Sequence, residues 1–338
     1  MSTNILLDPH FRLLETIFTA EDLGRVYSAG HILWGKNEPI AEQALEPLCD
    51  QIEVIITGGW RYGTPARFPR LRAIIEVGGS FPSPQLLDYA YCFAHSIRVL
   101  SCAPAFGPAV AELGLGLALA SIRQIAWTDR HFRVGEPNWS HTDFETAIGE
   151  AFTLYGKQVG LIGFGGLARA LRPLLAPFNC SVQVYDPWLT TTFLKRNGVV
   201  PVDLDTLLSS SRVIFALAIP STSNRAMLTR EKLELIRADA VFVLLSRAHV
   251  VDFEALTDLL AAGRFRAAID VFPEEPLAPE HRIRQLEHVV LSSHRAGANR
   301  EALHTVGRLV ADDLEAITQG LMPTQLQVAQ PEFIQLRG

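Results

Sequence analysis

The chain has 338 residues, a net charge of −6, and 48% hydrophobic against 20% charged residues. That length exceeds one small core and predicts two domains. The acid excess excludes nucleic acid and anionic membrane surfaces as main partners, because no basic surplus is available to neutralise phosphates.

The first eighteen residues, MSTNILLDPHFRLLETIF, lack a basic start, and Asp8 interrupts their first apolar run, so they do not read as a signal peptide. No uninterrupted apolar run approaches the ~18–20 residues that span a bilayer. Cys49, Cys92, Cys102 and Cys180 are scattered, with no C-x-x-C or Cys/His pattern. They read as small buried hydrophobes in a reducing cytoplasm, and no metal site is predicted.

In chain order, NILLD (Asn4–Asp8), EVIITG (Glu53–Gly58) and RAIIEVGG (Arg72–Gly79) read as buried strands ending in turns, with helical segments such as IAEQALEPLCD between them. This βαβ rhythm predicts a mainly parallel sheet. From Ala103 the texture changes. GPAVAELGLGLALASIRQIAWTDRHFR reads as one long helix, apolar on more than one face and so buried on several sides. A loose stretch follows. Strand signals then recur in QVGLIG, SVQVYD, RVIFALAIP, AVFVLLS, RAAIDVF and HVVLSSH, and six strands with helical links make one doubly wound sheet. The nucleotide domain is predicted over 103–293, with 1–102 and 294–338 forming a second, discontinuous domain.

The segment VGLIGFGGLARALRPLL (Val159–Leu175) reads as a strand, a glycine turn and a helix. Gly163 permits the tight turn and Gly165 lets backbone approach a pyrophosphate. Ala168 stands where a third glycine is usual, an accepted variant. Helix-start amides at Gly166 and Leu167 would face the phosphates. Pro173 is expected to bend the helix or end its first segment. The motif alone fits a bare glycine-rich turn as well. What decides for a dinucleotide is Asp186, which ends the next strand 23 positions after Gly163. A carboxylate there binds ribose hydroxyls and repels a 2′-phosphate, favouring NAD over NADP.

Arg247, Asp270, Glu275 and His294 each follow a predicted strand, which brings them to the sheet edge where ligands bind. Each alone also reads blandly: Arg247 as a surface ion pair, Glu275 as a solvated loop acid, His294 as a strand or helix terminator.

Their order resolves the choice. Over PAVAELGLGLALASIR, GKQVGLIGFGGLARAL, VYDP, SRAHVVDFEALTDLLAAGRFRAAIDVFPEEPL and SSHRAG, the chain resembles the D-isomer-specific 2-hydroxyacid dehydrogenase family, whose members include phosphoglycerate, glycerate and formate dehydrogenases. The resemblance runs through nearly the whole chain from about Asp50. It implies an α/β protein of two doubly wound parallel-sheet domains, a Rossmann NAD-binding domain inserted in a discontinuous flavodoxin-like substrate domain. It also implies roles. Arg247 would bind the substrate carboxylate and carbonyl oxygen, His294 would be the general acid/base, and Glu275 would pair with it. Gly163, Gly165, Gly166, Leu167, Asp186 and Pro220 would line the cofactor, and Asp270 would reach its nicotinamide side. Gly78 and Gly79 would offer amides to the substrate. A homodimer built on the long apolar helix and an arm near Trp127–Phe152 is implied as well.

The physics agrees. A guanidinium fixes a carboxylate in a planar geometry. Reduction builds charge on the carbonyl oxygen that an imidazolium neutralises, and a neighbouring carboxylate favours that imidazolium.

The chain departs from the family pattern in the substrate loop, EVGGSFPSPQLLDYA, where Phe81 and Pro82 replace the usual polar residues. It departs again at Ser293 and Arg295 in SSHRAG and at Arg212. Arg61 in GGWRYG reads as a contact for a second anionic group or as a solvated surface residue. The predicted function is an NAD-dependent oxidoreductase on a 2-hydroxy acid. A non-catalytic NAD-sensing regulator on the same scaffold is the alternative, which retention of Arg247, Glu275 and His294 argues against. A formate or phosphite oxidoreductase ranks lower, because Phe81 and Tyr62 offer a side-chain pocket that such substrates do not need.

Overall fold

In the computed structural model, residues 2–135 and 151–335 are described. They form two compact units: unit 1 is Met1–Phe106 with Gly297–Gly338, and unit 2 is Gly107–Ala296. The division thus falls a few residues beyond both expected cuts, since the 3-10 turn Ala103–Phe106 packs with the helix Arg300–Thr318 of unit 1.

Unit 1 is a sheet of six strands. β1 (Asn4–Asp8), β2 (His31–Gly35), β3 (Val54–Thr57), β4 (Ala73–Glu76) and β5 (Arg98–Ser101) run parallel in the order β5-β4-β3-β1-β2. A final short strand, Gln327–Val328, pairs antiparallel with β5. The parallel order 2-1-3-4-5 is that of flavodoxin-like sheets. Both faces are covered, which explains the unbroken apolar runs. Ile5 and Leu7 enter one core with Val306, Val310 and Leu314 of the C-terminal helix, while Leu6 between them enters the other with Ile55 and Ile74. The sequence reading found β1, β3 and β4. It missed β2, which opens on polar His31 and stays half exposed, and β5, which opens on Arg98.

The ladder of unit 1 ends on a polar row. Asp8 pairs with Thr57, Thr57 with Glu76 and Glu76 with Ser101, and all four are buried.

Unit 2 holds β6 (Gln158–Ile162), β7 (Ser181–Tyr185), β8 (Val200–Pro201), β9 (Val213–Ala216), β10 (Val241–Leu244), β11 (Arg266–Ile269) and β12 (Val289–Leu291). All run parallel, in the order β12-β11-β10-β9-β6-β7-β8. The order reverses between β6 and β9, which makes a switch-point crevice above the glycine turn. β8 is a seventh strand that the sequence reading did not contain, being two residues long and ending in proline. The matching end row here is apolar: Tyr185, Ile162, Ala216, Leu244, Ile269 and Leu291.

The expected single long helix is two. Gly107–Ile122 packs on the helix Gly166–Leu175 and on β10, β11 and β12. Gln124 then takes a left-handed conformation at φ 55°, and a second helix runs Ile125–Arg133. Ala103–Ile122 is long and apolar enough to cross a membrane by length and composition, interrupted only by Glu112, and half of it is buried inside the protein. Pro173 does not stop its helix at once: two more residues follow before a 3-10 turn, Ala176–Phe178, and a left-handed Asn179. Much of the expected dimer arm, 136–150, lies outside the described residues.

Candidate active site

Because every strand of unit 2 points the same way, the segments after β6, β7, β9, β10, β11 and β12 share one edge. Gly163 leaves β6 at φ 89°, and a Cβ there would lie 2.8 Å from the Ala218 Cα, so only glycine fits. The turn is tied to β7: the Gly163 amide donates to the Tyr185 carbonyl (2.8 Å) and the Phe164 amide to Asp186 Oδ2 (2.8 Å). Asp186 Oδ1 accepts from the Trp188 amide at 2.9 Å. Two amides on two oxygens leave lone pairs for two hydroxyls.

Gly165 caps the helix Gly166–Leu175 with no side-chain hydrogen bond, and a Cβ on either Gly165 or Gly166 would meet nothing within 4 Å. Leu167 follows in the first turn. Protein packing does not require these two glycines. What they provide is a bare helix N-terminus with open space before it, which suits a pyrophosphate. Ala168 is fully buried, as the third position of the motif demands.

After β9, Pro220 sits in a turn held from both sides. The Ser221 amide donates to Asn224 Oδ1 (2.8 Å), Asn224 Nδ2 donates to the Ile219 carbonyl (2.7 Å), and His249 Nε2 contacts the Ser221 carbonyl at 3.0 Å. Asn224 and His249 were not singled out from sequence. The S-x-x-N spacing was the available signal.

Arg247 follows β10. It is extended and exposed, and its Nη1 donates to the Ser246 carbonyl at 2.7 Å. His294 follows β12 in a left-handed conformation at φ 54°, with Nδ1 2.6 Å from Glu275 Oε2. Glu275 Oε1 accepts from the Phe272 amide at 3.0 Å. Partial burial pulls the Glu275 carboxyl upward, but the His294 hydrogen bond, the Phe272 amide and the His294 and Arg247 charges outweigh it. The net result is a carboxyl below the usual glutamate range.

Asp270 is fully buried, and its carboxylate is bonded within the protein. Oδ1 accepts from the Ser292 hydroxyl and the Arg295 amide (2.9 Å), and Oδ2 from the Ala296 amide (3.1 Å). The Asp270 carbonyl accepts from the His294 amide at 2.8 Å. Asp270 therefore clamps the segment that bears the histidine.

The other expected substrate contacts lie in unit 1, and several are already engaged. The Gly78 amide donates to Glu76 Oε1 at 3.2 Å rather than standing free for a carboxylate. A Cβ on Gly79 would come within 3.3 Å of the Phe106 ring. Phe81 and Tyr62 are core residues, 5% and 2% exposed, not pocket walls. Arg61 is an exposed residue, as one of its two readings has it, and it pairs with Asp8 Oδ2, which also accepts from the Tyr62 hydroxyl at 2.8 Å. Among the described residues no group of His, Cys, Asp and Glu could hold a metal ion.

Residues 115–296 match the family described as D-isomer specific 2-hydroxyacid dehydrogenase, NAD binding domain. The chain belongs to that family. With it come a nicotinamide cofactor and oxidoreductase chemistry on 2-hydroxy acids. The chain is 34% identical, with a TM-score of 0.83, to the crystal structure of a phosphoglycerate oxidoreductase from Rhizobium etli, covering 97% of this chain and 98% of that one. It is 34% identical to a glyoxylate reductase of Thermofilum pendens over 64% of each chain. It is 30% identical to a glyoxylate reductase of Thermococcus litoralis over 76% of this chain and 77% of that one. The share of the relative is lower for a D-3-phosphoglycerate dehydrogenase of Archaeoglobus fulgidus, 39% at 32% identity, so the chain spans well under half of that protein.

Proposed function

We propose that the protein is an NAD-dependent oxidoreductase interconverting a D-2-hydroxy acid and its 2-oxo acid, as a cytoplasmic homodimer. The observation that carries the reading is the 2.6 Å contact of His294 Nδ1 with Glu275 Oε2, on the strand edge that also bears Arg247 and the glycine turn. When bound, the nicotinamide supplies or accepts the hydride.

The chain's own residues do the rest. Glu275 holds the imidazole by Nδ1, which leaves Nε2 as the atom that carries the proton to or from the substrate oxygen. Arg247 orients the substrate by its carboxylate, using two parallel N–H donors. Asp270 fixes the backbone from which His294 projects. Asp186 takes the adenosine ribose hydroxyls, and its charge disfavours a 2′-phosphate, hence NAD over NADP. Ile125, Phe132 and Val134, exposed on and just after the helix Ile125–Arg133, support a subunit contact.

A nucleotide sensor without catalysis has no use for a histidine–carboxylate pair beside an arginine. The test is NADH consumption with a panel of 2-oxo acids. Turnover with at least one of them, lost in His294→Ala, is the expected result. Tight NADH binding with no turnover across the panel overturns this reading in favour of the sensor.

A further inference from the structure

Within unit 2, the loop after β9 and the loop after β10 are stitched together by backbone over part of their length. The Ala226 amide donates to the His249 carbonyl (2.8 Å), the Leu228 amide to the Val250 carbonyl (3.0 Å) and the Asp252 amide to the Leu228 carbonyl (3.0 Å). Ahead of Ala226 this ladder stops. Residues 219–221 there border the switch-point crevice, because the preceding Ala218 packs so closely on Gly163 that no Cβ fits between them. Among the described residues, one hydrogen bond joins 219–223 to the loop after β10. It is made by the His249 ring, whose Nε2 lies 3.0 Å from the Ser221 carbonyl, 28 positions away. A carbonyl only accepts, so Nε2 carries the proton of that bond.

The other end of this contact is the turn that carries the arginine. His249 is the middle residue of the 3-10 turn Ala248–Val250, which starts directly after Arg247. Ala248 and Val250 are buried and anchor that turn, while the half-buried His249 reaches across to the β9 loop. Among the described residues Arg247 hydrogen-bonds only the carbonyl of its neighbour Ser246. Its direction is therefore set by the backbone on either side of it.

We propose that His249 is a positioning residue that couples cofactor to substrate: through its hydrogen bond to Ser221, a dinucleotide lying against the β9 loop steadies the turn that bears Arg247 and tightens its hold on the substrate carboxylate. The inference rests on the 2-oxo acid reading above. Asn224 bounds the role. It braces the β9 loop from within, Oδ1 accepting from the Ser221 amide (2.8 Å) and Nδ2 donating to the Ile219 carbonyl (2.7 Å). The loop keeps its shape without His249, and what goes is the link. Such a link is reciprocal, so cofactor and acid raise each other's affinity by the same factor.

The test measures that factor. The dissociation constant of NADH is read from its own fluorescence, with and without saturating oxamate, the unreactive isostere of pyruvate. Oxamate is expected to tighten NADH in the wild type. In His249→Ala that tightening should shrink by roughly 3- to 10-fold, the size of one neutral hydrogen bond, while NADH measured alone stays within about two-fold of the wild type. His249→Gln, whose side-chain amide can still donate to Ser221, should keep most of the tightening. Asn224→Ala should do the opposite and weaken NADH measured alone. In steady state, His249→Ala should raise KM for the 2-oxo acid that turns over best and leave kcat close to wild type. No tightening in the wild type overturns the coupling. So does a tightening unmoved in His249→Ala, as a tie that only supports the loop would give, or an equal loss in His249→Gln. If no 2-oxo acid turns over but the tightening responds to His249 as expected, the coupling stands and the dehydrogenase reading falls. Turnover with a tightening unmoved in His249→Ala leaves the dehydrogenase reading standing and sinks the coupling.

Discussion

The two sheets end differently. In unit 2 the last row of paired residues is apolar, and the polar groups sit just beyond it, in the loops. In unit 1 the last row is itself polar and buried: Asp8, Thr57, Glu76 and Ser101. The acids of unit 2's edge are satisfied, Asp186 by two amides, Asp270 by a hydroxyl and two amides, and Glu275 by an amide and an imidazole. Unit 1 leaves open Asp8 Oδ1, His10 Nδ1, Arg12 Nη1 and Glu76 Oε2. Acids held in this way are preorganised, although Ser246 Oγ on the same edge is left open: their geometry exists before anything binds, as a site that serves a fixed cofactor and a fixed proton transfer requires.

The largest effect should come from the proton carrier on the preorganised edge. His294→Ala removes the general acid and should lower turnover by about 10²–10⁴-fold. Adding Glu275→Gln to that variant should cost little more, because the carboxylate acts through the ring. Full additivity in steady-state kinetics would show that Glu275 acts on something other than His294.

Next comes the clamp. Asp270→Ala leaves two amides and the Ser292 hydroxyl without their acceptor, the Ala296 amide fully buried and the other two donors at part-buried bonds. At roughly 1–3 kcal/mol for a buried group left unpaired, chemical denaturation should show a loss of a few kcal/mol. Turnover should fall together with stability, since the His294 backbone is held in a left-handed conformation from the same residue. Wild-type stability in this variant would mean that preorganisation of the edge does not depend on Asp270.

Much of this arrangement was legible in the sequence because it is local. A glycine turn, an acid one strand later, and polar residues after apolar runs are patterns within some thirty residues, and the strand directions that align them follow from the βαβ rhythm. What could not be read depends on distant partners. Asp270 meets Ser292, Arg295 and Ala296 from 22 to 26 residues away, so its place at the strand end was evident while its hydrogen bonds were not. Glu76 and Arg12 are separated by two strands and their connections. Two backbone features also escaped. A left-handed Gln124 splits the long helix without glycine or proline to mark it, and β8 is too short to show a period.

Cofactor choice is a smaller and sharper test of the satisfied edge. Asp186 already serves two amides, so in Asp186→Ala the glycine turn loses a tie as well as a ribose contact. NADH binding should weaken by roughly 1–3 kcal/mol, and the preference over NADPH should narrow. An unchanged NADH/NADPH ratio in titrations would remove Asp186 from cofactor selection and leave it a turn-forming residue only.

The smallest effect should be a displacement of a pH profile, and it separates two roles for Glu275. Its carboxyl lies below the ordinary glutamate range: burial raises it, but the His294 hydrogen bond, the Phe272 amide and the neighbouring His294 and Arg247 charges lower it further. A depressed carboxyl contributes stability above its unfolded value and loses it as pH falls through the folded one. Glu275 is therefore ionised at neutral pH and should lose its contribution only on the acid side. In the neutral and alkaline range its charge favours the protonated imidazole that reduction needs. Glu275→Gln keeps the shape and a hydrogen-bonding oxygen for the ring or the Phe272 amide, but removes the charge. The alkaline fall in the rate of 2-oxo acid reduction should then move to lower pH, with a modest loss at the optimum. A profile that keeps its alkaline limb while the optimum rate drops would mean that Glu275 only orients the ring. The electrostatic part of preorganisation would then have to come from elsewhere on the edge, with Arg247 excluded by its sign.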